Sequence, residues 1–172
     1  MKKVFFLSAV SGVGKTTTCD YIENNNLLKN YSIFDIDELE NINEYNSDTY
    51  TSFYENALKK AVLKSKNENI LIGSCINPTD IKKIKMPEEI TSLEMILIFC
   101  SSEELERRLK KRDKERNCSS DEFIQRQIEY QNFMLNHLDL YRLYLDNSNC
   151  DVNEIAIQIV NYIKSYDTDK SL

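Results

Sequence analysis

Eight consecutive residues near the start of the chain, Ala9, Val10, Ser11, Gly12, Val13, Gly14, Lys15 and Thr16, combine two glycines, a lysine and a hydroxyl at fixed spacing. The chain has only three glycines, so two of them two residues apart is a strong local choice. Glycines there let the backbone curl until successive N–H groups point at one anion. A lysine in this place can reach the terminal phosphates of a nucleotide, and the following threonine hydroxyl can ligate Mg²⁺. Thr17 continues into a helical stretch that starts at about Lys15, whose positive end adds to the same point. The alternative is a glycine-containing turn that merely caps a strand. An apolar run on one side and a helix on the other favour the phosphate cradle. Ala9 stands where glycine is commoner, which implies a position with no need of positive φ.

Two further groups have chemistry in their spacing. In "FDIDELE", Asp35 and Asp37 fall on one face of an extended strand and end at its carboxyl edge, where open α/β sheets bind ligands. A solvated strand end, with Asp37 capping a helix, is the plainer reading. Arg108, Arg112 and Arg116 recur every four residues and would share a face of a continuous helix, with Arg126 a further candidate. Such a face could close over a triphosphate, or it could be an ordinary charged surface among Glu103, Glu104, Glu106, Asp113 and Glu115. Gly73 ends a strand and would admit close backbone approach by a ligand, or simply a bend. His137 is the sole histidine and has no evident partner, which points to a structural role.

The elements that must position these residues alternate. Lys3–Ser8, Tyr31–Ile36, Asn69–Ser74 and Leu93–Cys100 are apolar runs of strand length, with Arg142–Asp146 a weaker fifth. Helical spacing covers Thr49–Lys66, Ser102–Lys114, Phe123–Tyr141 and Val152–Ser165. Ser101 with Glu104, Ser119 with Glu122 and Asp151 with Glu154 offer capping-box starts. Alternation of apolar strands with helices predicts one α/β domain over residues 1–166, a parallel sheet covered on both faces, and a frayed tail over 167–172.

Composition narrows the class. The 172 residues carry a net charge of −6, which disfavours a nucleic-acid partner. The five cysteines show no metal or redox spacing and suit a reducing compartment. The apolar start is too short for a signal peptide, and no segment is long enough to span a membrane, so a cytoplasmic location is expected.

Together these motifs resemble the small P-loop kinases, the group of adenylate, shikimate and gluconate kinases. The resemblance implies a three-layer P-loop NTPase fold: a five-stranded parallel sheet of order 2-3-1-4-5, helices on both faces, and a lid at about residues 112–120. It also implies ATP and Mg²⁺ as cofactors and a small-molecule acceptor as partner. The loop from Ala9 to Thr17, with Arg108, would hold the nucleotide. Thr16 and Asp35 would serve the metal. Lys15, Asp37, Arg112 and Arg116 would serve transfer, Asp37 by orienting or deprotonating the acceptor hydroxyl. No arginine precedes Arg107, whereas kinases of anionic acceptors usually place arginine after the second strand. That segment instead offers Tyr50, Phe53 and Tyr54, with Lys59 and Lys60 its cations, and the lid lacks the Arg-Pro-Leu-Leu of shikimate kinase. The pattern favours an uncharged hydroxyl acceptor such as a nucleoside over an anionic one, and the expected activity is ATP-dependent phosphoryl transfer to a small-molecule hydroxyl or phosphate, that of a nucleoside or nucleotide kinase. A sugar or sugar-acid kinase, a regulatory ATPase without an acceptor, and an enzyme acting on nucleic-acid 5′ ends are the alternatives.

Overall fold

The computed structural model describes residues 1–65, 68–112 and 118–169. Five strands form one parallel sheet: β1 (Lys2–Ser8), β2 (Tyr31–Asp35), β3 (Asn69–Ser74), β4 (Ile90–Phe99) and β5 (Leu143–Asp146), in the order β2-β3-β1-β4-β5. This is the order expected from the sequence resemblance. Three of the four apolar runs become the inner strands β1, β3 and β4, while the fourth becomes β2 at the sheet edge and is mostly half-buried. Val4, Phe5, Phe6 and Leu7 of β1 and Ile70, Leu71 and Ile72 of β3 are fully buried. Edge strand β5 alternates half-buried with exposed residues, which explains its weak signal.

Among the described residues six α-helices flank the sheet: α1 (Lys15–Asn24), α2 (Ile36–Leu39), α3 (Tyr50–Lys64), α4 (Ser102–Lys110), α5 (Asp121–Leu135) and α6 (Val152–Asp169). Helix α1 ends in a Schellman motif: Asn26 takes φ 50°, the Leu27 N–H donates to the Ile22 carbonyl, and the Asn26 N–H to Glu23. The Ser101 hydroxyl caps α4 by accepting from the Glu104 N–H at 3.2 Å.

Several boundaries differ from the sequence reading, each for a local reason. The cap of α5 is Ser120, which accepts from the Phe123 N–H, rather than Ser119. The same helix stops at Leu135 rather than Tyr141, where His137 Nδ1 bonds the Phe133 carbonyl at 2.8 Å and takes up a helix-end group. Strand β4 begins at Ile90 rather than Leu93, since the polar Thr91 still bonds the β1 backbone through its hydroxyl. Helix α6 runs to Asp169, past the expected start of the tail. Its Asp167 accepts from Lys3 Nζ at 2.7 Å and from the Tyr31 hydroxyl at 2.9 Å, which ties the helix end to the sheet. No described helix is long and apolar enough to cross a membrane.

Candidate active site

In register, Asp35 pairs with Gly73, Ser8 with Ser74 and Leu97, and Phe99 with Asp146, so the carboxyl ends of all five strands meet at one edge. The loop from Ala9 to Gly14 leaves β1 at this edge and enters α1. Gly12 and Gly14 take φ +96° and +110°, where a side chain is strained. With Asn26 they are the residues of positive φ among those described, and Ala9 is not one of them. Gly12 is required twice over. A Cβ there would lie 2.8 Å from Leu109 Cδ2 and 2.9 Å from its Cγ, against the buried face of α4.

A cleft of about 490 Å³ opens above the loop. Ala9, Val10, Ser11, Gly12, Gly14, Lys15, Thr16 and Thr17 form its floor, and Asp35, Asp37 and Arg112 stand around it. No side chain caps the first turn of α1, which leaves its N-terminal N–H groups directed at the cleft floor. Gly73 explains how Lys15 fits. A Cβ on Gly73 would touch Lys15 Cγ at 3.4 Å and Cys19 Sγ at 3.3 Å, so the close approach is by these side chains.

The Thr16 hydroxyl donates to Asp35 Oδ2 at 3.2 Å. Asp35 Oδ1 accepts from the Asp37 N–H, also at 3.2 Å, and this capping bond turns the chain from β2 into α2. The two carboxylates therefore do not share a strand face. Asp37 lies in the first helical turn, and both residues still line the cleft. A hydroxyl and a carboxylate together are hard oxygen donors suited to Mg²⁺. Among the described residues no trio of His, Cys, Asp or Glu gathers around a metal position, so a cation there would take its other ligands from phosphate and water, as Mg²⁺ does.

The arginines separate. Helix α4 ends at Lys110, so the four-residue face does not continue to Arg112. Arg108 turns to the back of the loop: Nη1 donates to the Val13 carbonyl at 2.9 Å, Nη2 to the Asn147 carbonyl at 2.7 Å, and Nε to Glu104 at 2.6 Å. It is not among the residues that line the cleft. Val13 is likewise buried behind it, and its carbonyl accepts a second bond from Asn147 Nδ2 at 2.6 Å. Arg107 and Arg108 together hold the Glu104 carboxyl down to about 2. Arg112 faces the cleft and meets no carboxylate among the described residues. Arg116 lies outside the described residues, as does most of the expected lid.

Ile36, Ile42, Phe53, Tyr54 and Cys75 make the wall opposite the loop. Tyr50 is exposed and not part of it. Lys60 bonds the buried Glu40 at 3.0 Å, and Lys59 points to solvent, so α3 contributes no cation to the cleft. Burial pushes the Cys75 thiol up to about 11, with Lys15 opposing and Asp37 adding to the shift, so it stays a neutral wall residue.

Asn147 and Gln127 also touch the loop; the helical spacing of Phe123, Ile124, Gln127, Ile128, Gln131 and Leu135 marks Gln127 as inward-facing without naming its partner, and Asn147 has no sequence signal of its own. Asn147 follows β5, and only the strand order brings it behind the loop. Gln127 accepts the Ser11 N–H from α5 at 3.0 Å.

Comparison with solved structures gives the same fold. A gluconokinase from Sinorhizobium meliloti 1021 superposes with TM-score 0.67 at 14% identity, covering 99% of this chain and 98% of that one. A shikimate kinase from Acinetobacter baumannii, in complex with shikimate, gives TM-score 0.62 at 15% identity, covering 96% and 94%. The shikimate kinase of Aquifex aeolicus gives 0.61 at 10% identity, covering 96% and 98%. The chain thus has the fold of the small P-loop kinases over nearly its whole length. No protein-family model matches it, and no curated protein sequence does.

Proposed function

We propose that this protein is an ATP- and Mg²⁺-dependent kinase of a small, uncharged hydroxyl compound, of the nucleoside type. The observation that carries the reading is one cleft with the loop from Ala9 to Thr17 at its floor, Thr16 beside Asp35 at 3.2 Å, and Asp37 within the same walls. The loop N–H groups and Lys15 would bind the triphosphate, and Thr16 and Asp35 would hold Mg²⁺. The metal's contribution when bound is to neutralise charge on the phosphates. Asp37 would accept the proton of the acceptor hydroxyl as its oxygen bonds to the γ-phosphorus and ADP departs. Arg112 would stabilise charge on the transferred group from above.

The acceptor class rests on the opposite wall. Gluconate and shikimate are acids, and a site for an acid calls for a cation at the acceptor's end. Here that wall is Ile36, Ile42, Phe53 and Tyr54, which suits a base or sugar face with Asp37 at its hydroxyl. A sugar-acid acceptor is the second reading, favoured by Arg112, an arginine in the cleft that meets no carboxylate among the described residues. ADP release from Mg–ATP should be measured against nucleosides, nucleoside monophosphates, neutral sugars and sugar acids. Stimulation by nucleosides supports the proposal. Stimulation by sugar acids alone moves the assignment to the second reading, and a basal rate that no acceptor raises would leave a regulatory ATPase.

A further inference from the structure

Helix α5 grips the site edge with polar side chains at helical spacing. Gln127 accepts the Ser11 N–H of the phosphate loop at 3.0 Å, across 116 positions of sequence. Three residues on, the Tyr130 hydroxyl donates to the Cys75 carbonyl at the end of β3 (3.4 Å). One further on, Gln131 bonds both backbone groups of Cys100 after β4, accepting from its N–H at 3.2 Å and donating to its carbonyl at 2.8 Å. Gln131 is only 2% exposed, and Met134 on the same face is fully buried. These residues share one helix face. The face therefore holds the carboxyl ends of β1, β3 and β4 in fixed relation, and Gln127 is its outermost contact.

The peptide that Gln127 holds is secured at both ends. Its N–H, on Ser11, goes to Gln127, while its carbonyl, on Val10, accepts a long bond from the Val13 N–H at 3.5 Å. Ser11 is exposed, so water could satisfy its N–H without Gln127. The contact is therefore not needed to avoid an orphaned donor, and what it adds is orientation of the peptide beside Gly12.

We infer that Gln127 is a positioning residue for the phosphate loop: from α5 it fixes the Val10–Ser11 peptide and so keeps the cradle in its anion-binding shape before nucleotide arrives. Preorganisation of this kind raises affinity because the loop need not be ordered on binding. The inference deepens the kinase reading and rests on it for the identity of the anion.

The test uses two variants and two readouts. In Gln127→Met the length stays and the acceptor goes. Exchange of the Ser11 amide hydrogen should then rise roughly threefold to tenfold, the factor for losing one modest hydrogen bond, with the Cys100 amide unchanged. The dissociation constant for Mg–ADP, measured by calorimetry, should rise by a similar factor. In Gln127→Glu the acceptor is kept and a negative charge is added beside the phosphates. Ser11 exchange should stay near wild type, and the loss of Mg–ADP affinity should shrink toward zero as salt is raised to about 0.5 M, where such charges are screened. A Ser11 amide that exchanges equally fast in Gln127→Met and wild type would overturn the inference. So would a Gln127→Glu variant that binds no better than Gln127→Met at high salt. Wild-type protein that does not bind Mg–ADP would overturn the kinase reading instead, and the exchange data would still decide whether Gln127 holds the loop.

Discussion

The Val13 carbonyl, buried behind the loop of Ala9 to Gly14, accepts from both Asn147 Nδ2 at 2.6 Å and Arg108 Nη1 at 2.9 Å, and these two donors should be energetically coupled. Asn147→Ala removes one neutral donor but leaves the carbonyl paired, so its cost should be about 1 kcal/mol. Arg108→Met removes a charge-assisted bond to the same oxygen and another to the Asn147 carbonyl, for about 1.5–3 kcal/mol. Glu104 keeps Arg107 in that variant, so no carboxylate is stranded. In the double variant the buried carbonyl loses both partners, and its desolvation adds about 1–3 kcal/mol that neither single change incurs. The double variant should therefore be less stable than the sum of the singles by at least about 1 kcal/mol. Urea unfolding followed by circular dichroism, with equal denaturant slopes across the four proteins, reads this directly. Additivity to within about 0.5 kcal/mol would refute the shared-acceptor argument, since it would mean that water replaces the lost donors.

Three other outcomes follow from the same geometry. Gly12→Ala should destabilise the protein by about 2–4 kcal/mol in urea unfolding, because positive φ and the collision with Leu109 and Leu105 add. Lys15→Ala should abolish transfer from Mg–ATP at saturation while leaving the unfolding midpoint within a few degrees; wild-type turnover would remove the loop from catalysis. Glu104 is shifted from its ordinary 4.5 down to about 2, by Arg107 and then Arg108, so it favours the folded state above pH 4.5 and loses that effect as the pH falls through about 2. Gln at this position should flatten the acid limb of stability between those values, and an identical acid limb in Glu104→Gln would contradict the pairing.

The parts of the architecture that could be read from the sequence are those set by local pattern. Apolar runs without alternation mark strands buried on both sides, and Val4–Leu7 and Ile70–Ile72 are such runs. The turn from Ala9 to Thr16 at the cleft floor was legible because its glycines, lysine and threonine lie adjacent in sequence. The D-x-D spacing correctly suggested two carboxylates at one sheet edge, but the strand face it implied fails, because the Asp35 side chain bonds the Asp37 N–H and starts a helix. The arginine repeat misled similarly. Periodicity predicts a shared face only while the helix lasts, and α4 ends before Arg112. The helical spacing put Gln127 on an inward face, but its partner, like the role of Asn147, was beyond reach for another reason. Each makes a single contact across more than a hundred residues of sequence, fixed by strand order and helix docking rather than by any neighbouring pattern.

The central claim is that phosphate leaves ATP for an organic hydroxyl docked at Asp37, and following γ-labelled ATP in wild type and Asp37→Asn tests it most directly. Asparagine keeps the size and removes the charge, and the Asp35 cap to residue 37 uses the backbone N–H, which is unaltered. The account predicts label in a phosphorylated acceptor for wild type and roughly a hundredfold slower labelling in the variant, the scale of general-base catalysis, with Mg–ATP affinity nearly unchanged. Label recovered only as inorganic phosphate, or transfer at the wild-type rate in Asp37→Asn, would contradict it.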